Sequence, residues 1–408
     1  MKPDAIAMEH PKNETGPIRV LHIIQGKHFG GAEQVVLTLS KCFDRSQVMP
    51  SVVCLSKGLL LEKLSAVNIP NFLIPMKSKT DIIAPLYKTM RLIKKKHIDI
   101  IHTHTVRSNL IGRLASVCTL RKCVTHLHSP ILRDFADLRR GQINETIDRM
   151  TRPITARHIA VSHSLRKEMI QRGLAPRKIL TVHNVPDLDS LKLSIRHTGS
   201  KPNVRQEHHI PPNAFLLVLV ALLRPRKGVE VLITAMKKVL QYFPDTHLLL
   251  VGSDDISEDP DYGSRLRRLT TQLELESNVA FAGFRDDVPE VLNQSDLMVL
   301  PSLFGEGLPM VILEAMAMGV AVVASRVEGI PEIIVDGKDG FLVEPGDSDQ
   351  LSNKIIQLIK NPVLLQDAGQ SAQEKIFKEM NGQRHAKQIE HVYQEVLKLE
   401  VPKMTKMS

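Results

Sequence analysis

The sequence has no tryptophan and only four tyrosines among its 408 residues. Proteins that bind nucleic acid commonly interleave basic residues with aromatic side chains that stack on bases, and no compact motif of that kind occurs here. The net charge of +10 nevertheless indicates an anionic partner: nucleic acid, an acidic membrane face or a phosphorylated small molecule. Because aromatic residues are so few, we expect no nucleic-acid partner.

Cysteine is also scarce. The spacing of the four cysteines matches neither a zinc site nor a secreted disulfide framework; they are Cys42, Cys54, Cys118 and Cys123.

The longest apolar run, residues 214–223, has about half the length of a bilayer-spanning helix and predicts a buried strand. Residues 1–16 are polar and lack the apolar segment of a signal peptide, so they are expected to be a disordered lead-in. These features predict a cytoplasmic protein.

Short β-branched or leucine-rich runs alternate with helical patterns along the chain, which is typical of βαβ units that build parallel sheets. The runs are 18–24, 51–56, 98–104, 157–162 and 178–184, then 215–221, 246–252, 278–284, 296–302 and 320–325. A polar stretch at about 186–212 separates the two series. We predict an α/β protein with two Rossmann-like, doubly wound domains, 17–190 and 205–375, facing a central crevice. A helix at 376–400 is expected to cross back to the first domain.

The segment GEGLPMVILEAMAMG, residues 305–319, places two carboxylates beside such a crevice. Glu306 lies in a loop after a predicted strand, and Glu314 interrupts an otherwise apolar helix with Pro309 at its first position. An ionised glutamate buried without a partner costs several kcal/mol, roughly, so Glu314 needs something to bind. Carboxylates here suit sugar or ribose hydroxyls, and the backbone amides of 308–310 at the helix start suit phosphate. A purely structural Glu314 is the alternative.

The stretch from residue 301 to 347, PSLFGEGLPMVILEAMAMGVAVVASRVEGIPEIIVDGKDGFLVEPGD, resembles the donor-binding signature of family 4 glycosyltransferases, retaining enzymes of the GT-B fold. Their signature, two glutamates separated by seven residues, falls on Glu306 and Glu314. The resemblance implies that Glu306 binds hydroxyls of the transferred sugar and Glu314 the ribose of the nucleotide. It also implies that the donor-binding loop and helix start include Gly307, Leu308, Pro309 and Met310.

Other segments extend the resemblance over nearly the whole chain. FGGAEQVVLTLS, residues 29–40, is similar to the family's glycine loop, where Gly30 and Gly31 let the backbone approach the donor phosphates or the acceptor. LLRPRKGVEVLITA, residues 222–235, resembles the segment that binds the diphosphate, with Lys227 at the matching position. The resemblance also places His128 beside the donor sugar; a histidine that only packs in the interior is the alternative.

Leu222 departs from the family, which usually has an arginine there. Arg224 and Arg226 are candidates to replace that contact with the diphosphate. Residues two apart share one face of a strand, so we expect Arg224 to point as the residue at 222 would. The alternative is that both arginines are solvated on the surface.

Paired histidines raise the question of a metal. His102 and His104 lie two apart at a strand end, as do His126 and His128, but neither pair has a third ligand at a recognisable spacing. We therefore expect no metal site and no cofactor.

The sequence thus predicts a metal-independent glycosyltransferase of hexosyltransferase type. It would move a sugar from a nucleoside diphosphate donor to a hydroxyl of a glycan or lipid-linked acceptor, with retention, in polysaccharide or lipopolysaccharide biosynthesis. The alternatives are a non-catalytic sugar-nucleotide-binding subunit and another sugar-nucleotide enzyme of the same fold, such as an epimerase. Basic clusters at 91–97 and 133–140, with Arg149 and Arg152, are expected to contact anionic lipid at the inner face of the membrane.

Overall fold

The structure, a computed structural model, describes residues 16–78, 81–129, 138–196, 203–254 and 259–398. Most of the expected lead-in, residues 1–15, therefore lies outside the described residues. The described chain forms two parallel α/β sheets, which confirms the predicted fold class.

The first sheet has seven strands in the order β3-β2-β1-β4-β5-β6-β7. The strands are β1 Ile18–Ile24, β2 Val48–Cys54, β3 Asn71–Leu73, β4 Ile100–Thr103, β5 Lys122–Leu127, β6 Arg157–Ala160 and β7 Ile179–Thr181. The helices are α1 Gly31–Cys42, α2 Leu59–Ala66, α3 Ile83–Lys95, α4 Val106–Thr119, α5 Leu138–Thr151 and α6 His163–Gln171. The strand interiors are buried runs of Val, Ile and Leu, because helices cover both faces of the sheet.

Two helices lead to the second sheet, α7 Leu188–Arg196 and α8 Val204–Glu207. That sheet has six strands in the order β10-β9-β8-β11-β12-β13. They are β8 Phe215–Val220, β9 Thr246–Val251, β10 Val279–Gly283, β11 Leu297–Leu300, β12 Ala321–Ser325 and β13 Phe341–Val343. The helices are α9 Val229–Tyr242, α10 Tyr262–Gln272, α11 Val288–Asn293, α12 Met310–Ala317, α13 Ser348–Lys360, α14 Pro362–Glu379 and α15 Gly382–Lys398. The apolar run at 214–223 forms β8, as its length predicts.

The two C-terminal helices belong to different packing environments. Helix α14 packs on α12 and β12 of the second sheet. Helix α15 packs on the first sheet, where its apolar side chains share a core with Ile18, Val20 and Leu39. The chain thus returns to the first sheet between residues 379 and 382, slightly later than the expected start at 376.

The order of strands reverses between β1 and β4 in the first sheet and between β8 and β11 in the second. In an open parallel sheet, the carboxyl ends of the strands at such a reversal leave a crevice where ligands bind. One apolar core cluster includes side chains from both halves, among them Val35 and Leu165 with Leu308 and Met310. The two reversals therefore face each other across a packed interface.

Candidate active site

A cavity of about 350 Å³ opens between the two sheets at these reversals. It brings together eleven of the twelve residues expected at the site, all except Arg224, with several that were not expected. The lining from the first half includes Phe29, Gly30, Gly31, Glu33, Gln34, His128 and Asn184. The lining from the second half includes Leu222, Arg226, Lys227, Phe284, Arg285, Gly305, Glu306, Gly307, Leu308, Pro309, Met310, Val311 and Glu314.

Glu306 is buried in the loop that follows β11 and has two close partners. Its Oε1 lies 2.5 Å from Nζ of Lys227 and accepts a hydrogen bond of 2.6 Å from the Ser302 hydroxyl. Arg226 lies slightly further away, with Nη1 3.7 Å from the same oxygen. Burial by itself raises the pKa of Glu306, but Lys227 and Arg226 outweigh it, so the pKa is lower than usual. Glu306 is therefore an ionised acceptor at neutral pH.

Lys227 lies at the end of a short 3₁₀ turn, Pro225–Lys227, directly before α9. Burial lowers the pKa of Lys227, and Arg226 adds to this effect, while Glu306 opposes it. Gly228 follows with φ of +65°, and a Cβ there would lie 2.0 Å from the carbonyl oxygen of Pro301. Glycine is needed at this position because the lysine turn packs directly against the loop that carries Glu306.

The loop of Glu306 also approaches the first half of the chain. A Cβ on Gly307 would lie 2.0 Å from the carbonyl oxygen of His128, so a larger residue would push the two halves apart. Asn184, which follows β7, donates a hydrogen bond of 3.3 Å to the carbonyl oxygen of Leu308. These contacts hold the loop after β11 against the loops of the first sheet.

Helix α12 begins at Met310, one residue later than expected, and Pro309 occupies the N-cap position with an extended backbone. Proline has no N–H and disfavours a helical residue before it, so it ends the loop sharply. The helix ends at Ala317, and Gly319 beyond it has φ of +74°, as the sequence predicts for a C-terminal glycine. Pro309 and Met310 line the cavity, so the amino end of α12 lies at its wall.

Glu314 is buried on α12, and its partner comes from the other half of the chain. Nε2 of Gln34 donates a hydrogen bond of 2.9 Å to Oε1 of Glu314. Burial raises the pKa of Glu314 to about 8; the bond from Gln34 opposes the shift and the charge of Asp187 adds to it. Glu314 is thus protonated at neutral pH in the free protein. The sequence motif located this carboxylate, but nothing in it pointed to Gln34.

The glycine loop forms the opposite wall of the cavity. Gly30 caps α1, and its N–H donates a hydrogen bond of 3.2 Å to Oε2 of Glu33. A Cβ on Gly31 would lie 3.4 Å from Cγ of Met310, so this loop approaches the start of α12. Burial raises the pKa of Glu33 to about 7, against the effect of hydrogen bonds from the backbone. Sequence reasoning missed Glu33, although it lies only two residues after the glycine pair.

The structure differs from the expectation for Arg224. Arg226 lines the cavity and donates a hydrogen bond of 3.0 Å to the carbonyl oxygen of Gly305, whereas Arg224 is not among the lining residues. Strand alternation does not predict the direction of these side chains, because the extended backbone ends at Arg224 and a 3₁₀ turn follows. Two-residue periodicity does not continue through such a turn. Which arginine contacts the diphosphate stays a prediction.

The two histidine pairs, which lie apart in the sequence, come together in the fold. The potential ligand atoms of His22, His102 and His104 lie within 4.8 Å of one another, as do those of His104, His126 and His128. A third such group joins His163, His183 and Glu332, where Nε2 of His183 lies 2.9 Å from Oε2 of Glu332. A third histidine therefore accompanies each pair in space, at a sequence separation that no motif spacing indicates. A metal-independent reaction stays a prediction.

The two facing sheets and the loops between them define a glycosyltransferase of the GT-B fold. A family model described as "Glycosyl transferases group 1" matches residues 200–375, and one described as "Glycosyltransferase Family 4" matches residues 29–190. The chain belongs to this family, glycosyltransferase family 4, as the resemblance of residues 301–347 predicted.

Individual relatives agree with this assignment. A UDP-Gal:alpha-D-GlcNAc-diphosphoundecaprenol alpha-1,3-galactosyltransferase of Escherichia coli is 26% identical over 86% of this chain and 91% of its own. An N-acetyl-alpha-D-glucosaminyl L-malate synthase of Bacillus anthracis is 33% identical over 59% of each chain. The crystal structure of HepE from Anabaena in complex with UDP and glucose has a TM-score of 0.80 and 26% identity, covering 92% of this chain and 99% of that one. The prediction of a hexosyltransferase enzyme is confirmed.

Membrane contact was expected from two basic clusters. Among the described residues, no helix combines the length and apolar character needed to cross a bilayer. The cluster at 91–97 is exposed at the end of α3, whereas residues 133–137 lie outside the described part of the chain. Arg152 does not face lipid, because it is buried and bonds to Asp148 at 2.6 Å and to Glu145 at 2.8 Å. The sequence could not show that this arginine is used internally.

Proposed function

We propose that this enzyme transfers a hexosyl residue from a uridine diphosphate sugar to a hydroxyl group of a lipid-linked or polysaccharide precursor, with retention of anomeric configuration. The observation that carries the proposal is the buried pairing of Lys227 with Glu306 beside the amino end of α12. This arrangement offers positive charge for a diphosphate and negative charge for sugar hydroxyls within one cavity.

The choice of uridine rests on relatives. HepE of Anabaena was crystallised with UDP-glucose, and the Escherichia coli relative is named for UDP-Gal. In this chain, Glu314 would accept hydrogen bonds from the ribose hydroxyls, because it lies on α12 behind the loop that carries Glu306. The backbone N–H groups of Leu308 and Met310, with Arg226 and Lys227, would bind the diphosphate, and Gly30 and Gly31 would let the backbone come close to it.

In the reaction, the bond between the anomeric carbon and the diphosphate oxygen breaks, and the acceptor oxygen bonds to the same face of that carbon. The acceptor's proton passes to the departing phosphate. Arg226, Lys227 and the amides of α12 stabilise the negative charge that grows on the diphosphate, and such preorganised electrostatics is often the largest part of catalysis. Glu306 and His128 hold the sugar. Neither a metal ion nor a cofactor has a step in this scheme.

The names of relatives support this acceptor class. The Escherichia coli relative acts on a diphosphoundecaprenol-linked sugar, and a capsular polysaccharide biosynthesis glycosyltransferase, CapM of Staphylococcus aureus, is 23% identical over 80% of this chain. The Bacillus anthracis relative is instead named for L-malate, so a small hydroxy acid is the competing acceptor.

A lipid-linked acceptor requires the enzyme to reach a membrane, and α3 carries a suitable surface. Ile83 and Tyr87 lie one turn apart on α3 and are 84% and 59% exposed. Arg91, Lys94 and Lys95 are exposed further along the same helix. Each basic residue near an anionic surface contributes about 1 kcal/mol to binding. Contact with the inner face of the membrane through α3 is therefore part of the proposal.

Transfer is tested with a panel of UDP, GDP and ADP sugars. A nucleotide at 100 times its Kd should stabilise the protein by about 2.7 kcal/mol, which thermal unfolding detects. The stabilising sugar nucleotide is then incubated with diphosphoundecaprenol-linked sugars, glycans or L-malate, and the anomeric configuration of the product is read by NMR. Binding without transfer to any acceptor would indicate a binding subunit. Conversion of the sugar nucleotide without an acceptor would indicate an epimerase.

Membrane contact is tested by sedimentation with vesicles that contain anionic phospholipid. Charge reversal of Arg91, Lys94 and Lys95 should release the protein, whereas reversal of three exposed lysines of the second half should not. The control lysines are Lys237, Lys338 and Lys360. Equal binding of both triple variants, or indifference of the parent to anionic vesicles at low salt, would contradict contact through α3.

A further inference from the structure

Five histidine side chains form a layer at the carboxyl ends of three adjacent strands. His22 lies in β1, His102 in β4 and His126 in β5, while His104 and His128 follow the last two strands directly. Neighbouring ring centroids within the layer are 4.4 to 5.5 Å apart. The rings meet because β4 lies between β1 and β5, with His22 opposite His102 in the strand register. Four of the five rings are buried, and only His128 reaches the cavity of the active site.

Hydrogen bonds connect three of these rings in series. Nδ1 of His22 lies 3.0 Å from Nε2 of His104, and Nδ1 of His104 lies 3.2 Å from Nε2 of His128. The other two histidines are outside this series: Nδ1 of His102 lies 2.6 Å from the Tyr393 hydroxyl, and neither ring nitrogen of His126 has a partner among the described residues. The series His22, His104, His128 is called the histidine chain below.

Each ring of the histidine chain carries one proton at neutral pH. Burial lowers the pKa of His22 to about 3 and that of His128 to about 4, and burial together with the neighbouring histidines holds the pKa of His104 well below 6.5. A neutral imidazole has one donor nitrogen and one acceptor nitrogen. The two bonds of the chain must therefore point in the same direction, so the state of one ring fixes the states of the other two.

One of the two directions leaves a buried donor without a partner. If the donor N–H groups of the two bonds point away from the cavity, the remaining proton of His22 is on Nε2. This atom has no partner among the described residues. If protons point toward the cavity, the same atom is only an unused acceptor, and Nδ1 of His128 carries an N–H. Buried N–H groups without a partner are rarer in proteins than under-used acceptors. The second direction is therefore favoured.

We propose that His104 and His22 are positioning residues that fix His128 in the tautomer with Nδ1–H, so that His128 donates a hydrogen bond to an oxygen of the bound donor sugar. This inference rests on the proposed function for the identity of the sugar. Within the histidine chain, Nδ1 is the ring nitrogen of His128 that remains for a ligand. His104 acts only through His128, since it is buried and is not among the cavity-lining residues.

The kinetic test compares two buried histidines of the same layer. His104→Phe keeps an aromatic ring but removes both hydrogen bonds. His126→Phe makes the same substitution at a ring whose nitrogens have no hydrogen-bond partner among the described residues. We expect His104→Phe to lower kcat about tenfold while the donor KM changes less than twofold, because one hydrogen bond to the reacting sugar is lost. We expect His126→Phe to leave kcat unchanged. His104→Asn places an amide donor near the position of Nδ1 and should recover most of the loss.

A second measurement reads the tautomer without turnover. In protein labelled with ¹⁵N at histidine, long-range ¹H–¹⁵N correlations report which nitrogen of each ring is protonated, and loss of one signal set in His128→Gln assigns His128. We expect Nδ1–H for His128 in the parent and in His126→Phe, and a mixture of tautomers in His104→Phe.

These measurements separate failure of the inference from failure of the proposed function. Nε2–H for His128 in the parent, or equal kinetic losses in His104→Phe and His126→Phe, would overturn the histidine chain. If the parent transfers no sugar from any donor, but His128 shows an Nδ1–H that depends on His104, the proposed function is wrong and the role of the histidine chain is supported. The parent spectrum decides the tautomer even if the His104 variants fail to fold.

Discussion

Lys227 and Glu306 form a buried ion pair, with 2.5 Å between Nζ and Oε1, although they come from loops after different strands of the second sheet. Breaking a buried pair by removing one partner is costly, because the other charge stays uncompensated. The free enzyme thus holds its cationic group for the diphosphate and its anionic group for the sugar in fixed positions.

The first prediction concerns Glu306→Gln. Sugar transfer should fall to background, because an amide cannot replace the ionised acceptor, while UDP binding should stay within about threefold of the parent since the nucleotide contacts other residues. Initial rates and calorimetric titration with UDP measure the two effects. Glu276→Gln, at an exposed position, is the control. Loss of UDP affinity with the sugar still recognised would reverse the assignment of Glu306.

The second prediction concerns stability and pH. The folded-state pKa of Glu314 is raised to about 8, so the protonated form stabilises the fold fully below about pH 4.5, and this contribution is lost as the pH rises toward 8. Glu314→Gln resembles the protonated form at every pH. The free energy of unfolding of the variant, relative to that of the parent, should therefore increase by about 1.4 kcal/mol for each pH unit within this window. Urea unfolding at several pH values measures the difference, and parallel profiles would contradict the shift.

The third prediction concerns nucleotide binding at the same residue. Ribose hydroxyls donate to an ionised carboxylate, so UDP should release a proton from Glu314 on binding at pH 7. Calorimetry in two buffers of different ionisation enthalpy measures this proton. Glu314→Gln should weaken UDP binding about tenfold and abolish the release. If Glu314→Gln binds UDP as tightly as the parent, and the parent releases no proton on binding, Glu314 does not contact the ribose and only pairs with Gln34.

The fourth prediction compares the two arginines. Arg226→Ala should lower kcat/KM by tenfold or more, since a charged hydrogen bond is worth about 1.5 to 3 kcal/mol. Arg224→Ala is the matched control two residues away and should have a smaller effect, because Arg224 does not line the cavity. A larger loss of kcat/KM in Arg224→Ala than in Arg226→Ala would support the assignment of Arg224 to the diphosphate. Parent-like kinetics in both would assign the diphosphate to Lys227 and the backbone.

The fifth prediction is that an excess of chelator leaves the rate of transfer unchanged, because cationic side chains and helix amides stabilise the leaving diphosphate. The rate is measured after dialysis against EDTA and again after adding Mg²⁺ or Mn²⁺. Activity that vanishes with chelator and returns with either ion would show that a metal takes part.

Much of the fold could be read from the sequence, because buried parallel strands are continuous apolar runs and the helices between them follow a different period. The runs at 18–24 and 215–221 match β1 and β8 closely. Strands β3 and β13 were not identified, since each has only three residues, too few for a recognisable alternation. Strand β7 is equally short, but it lies within the longer run at 178–184 that was predicted.

The sequence by itself pointed to the two carboxylates through the loop and helix start that contain them, and to Lys227 through the resemblance of residues 222–235 to the family's diphosphate-binding segment. Only the tertiary structure decided which groups they meet. Gln34 bonds to Glu314 across 280 positions of sequence, Arg226 rather than Arg224 lines the cavity, and His22 bonds to a histidine 82 residues away. The physical reason is that local periodicity fixes the direction of a side chain only within one element. Contacts between elements depend on strand order and on the packing of the two halves.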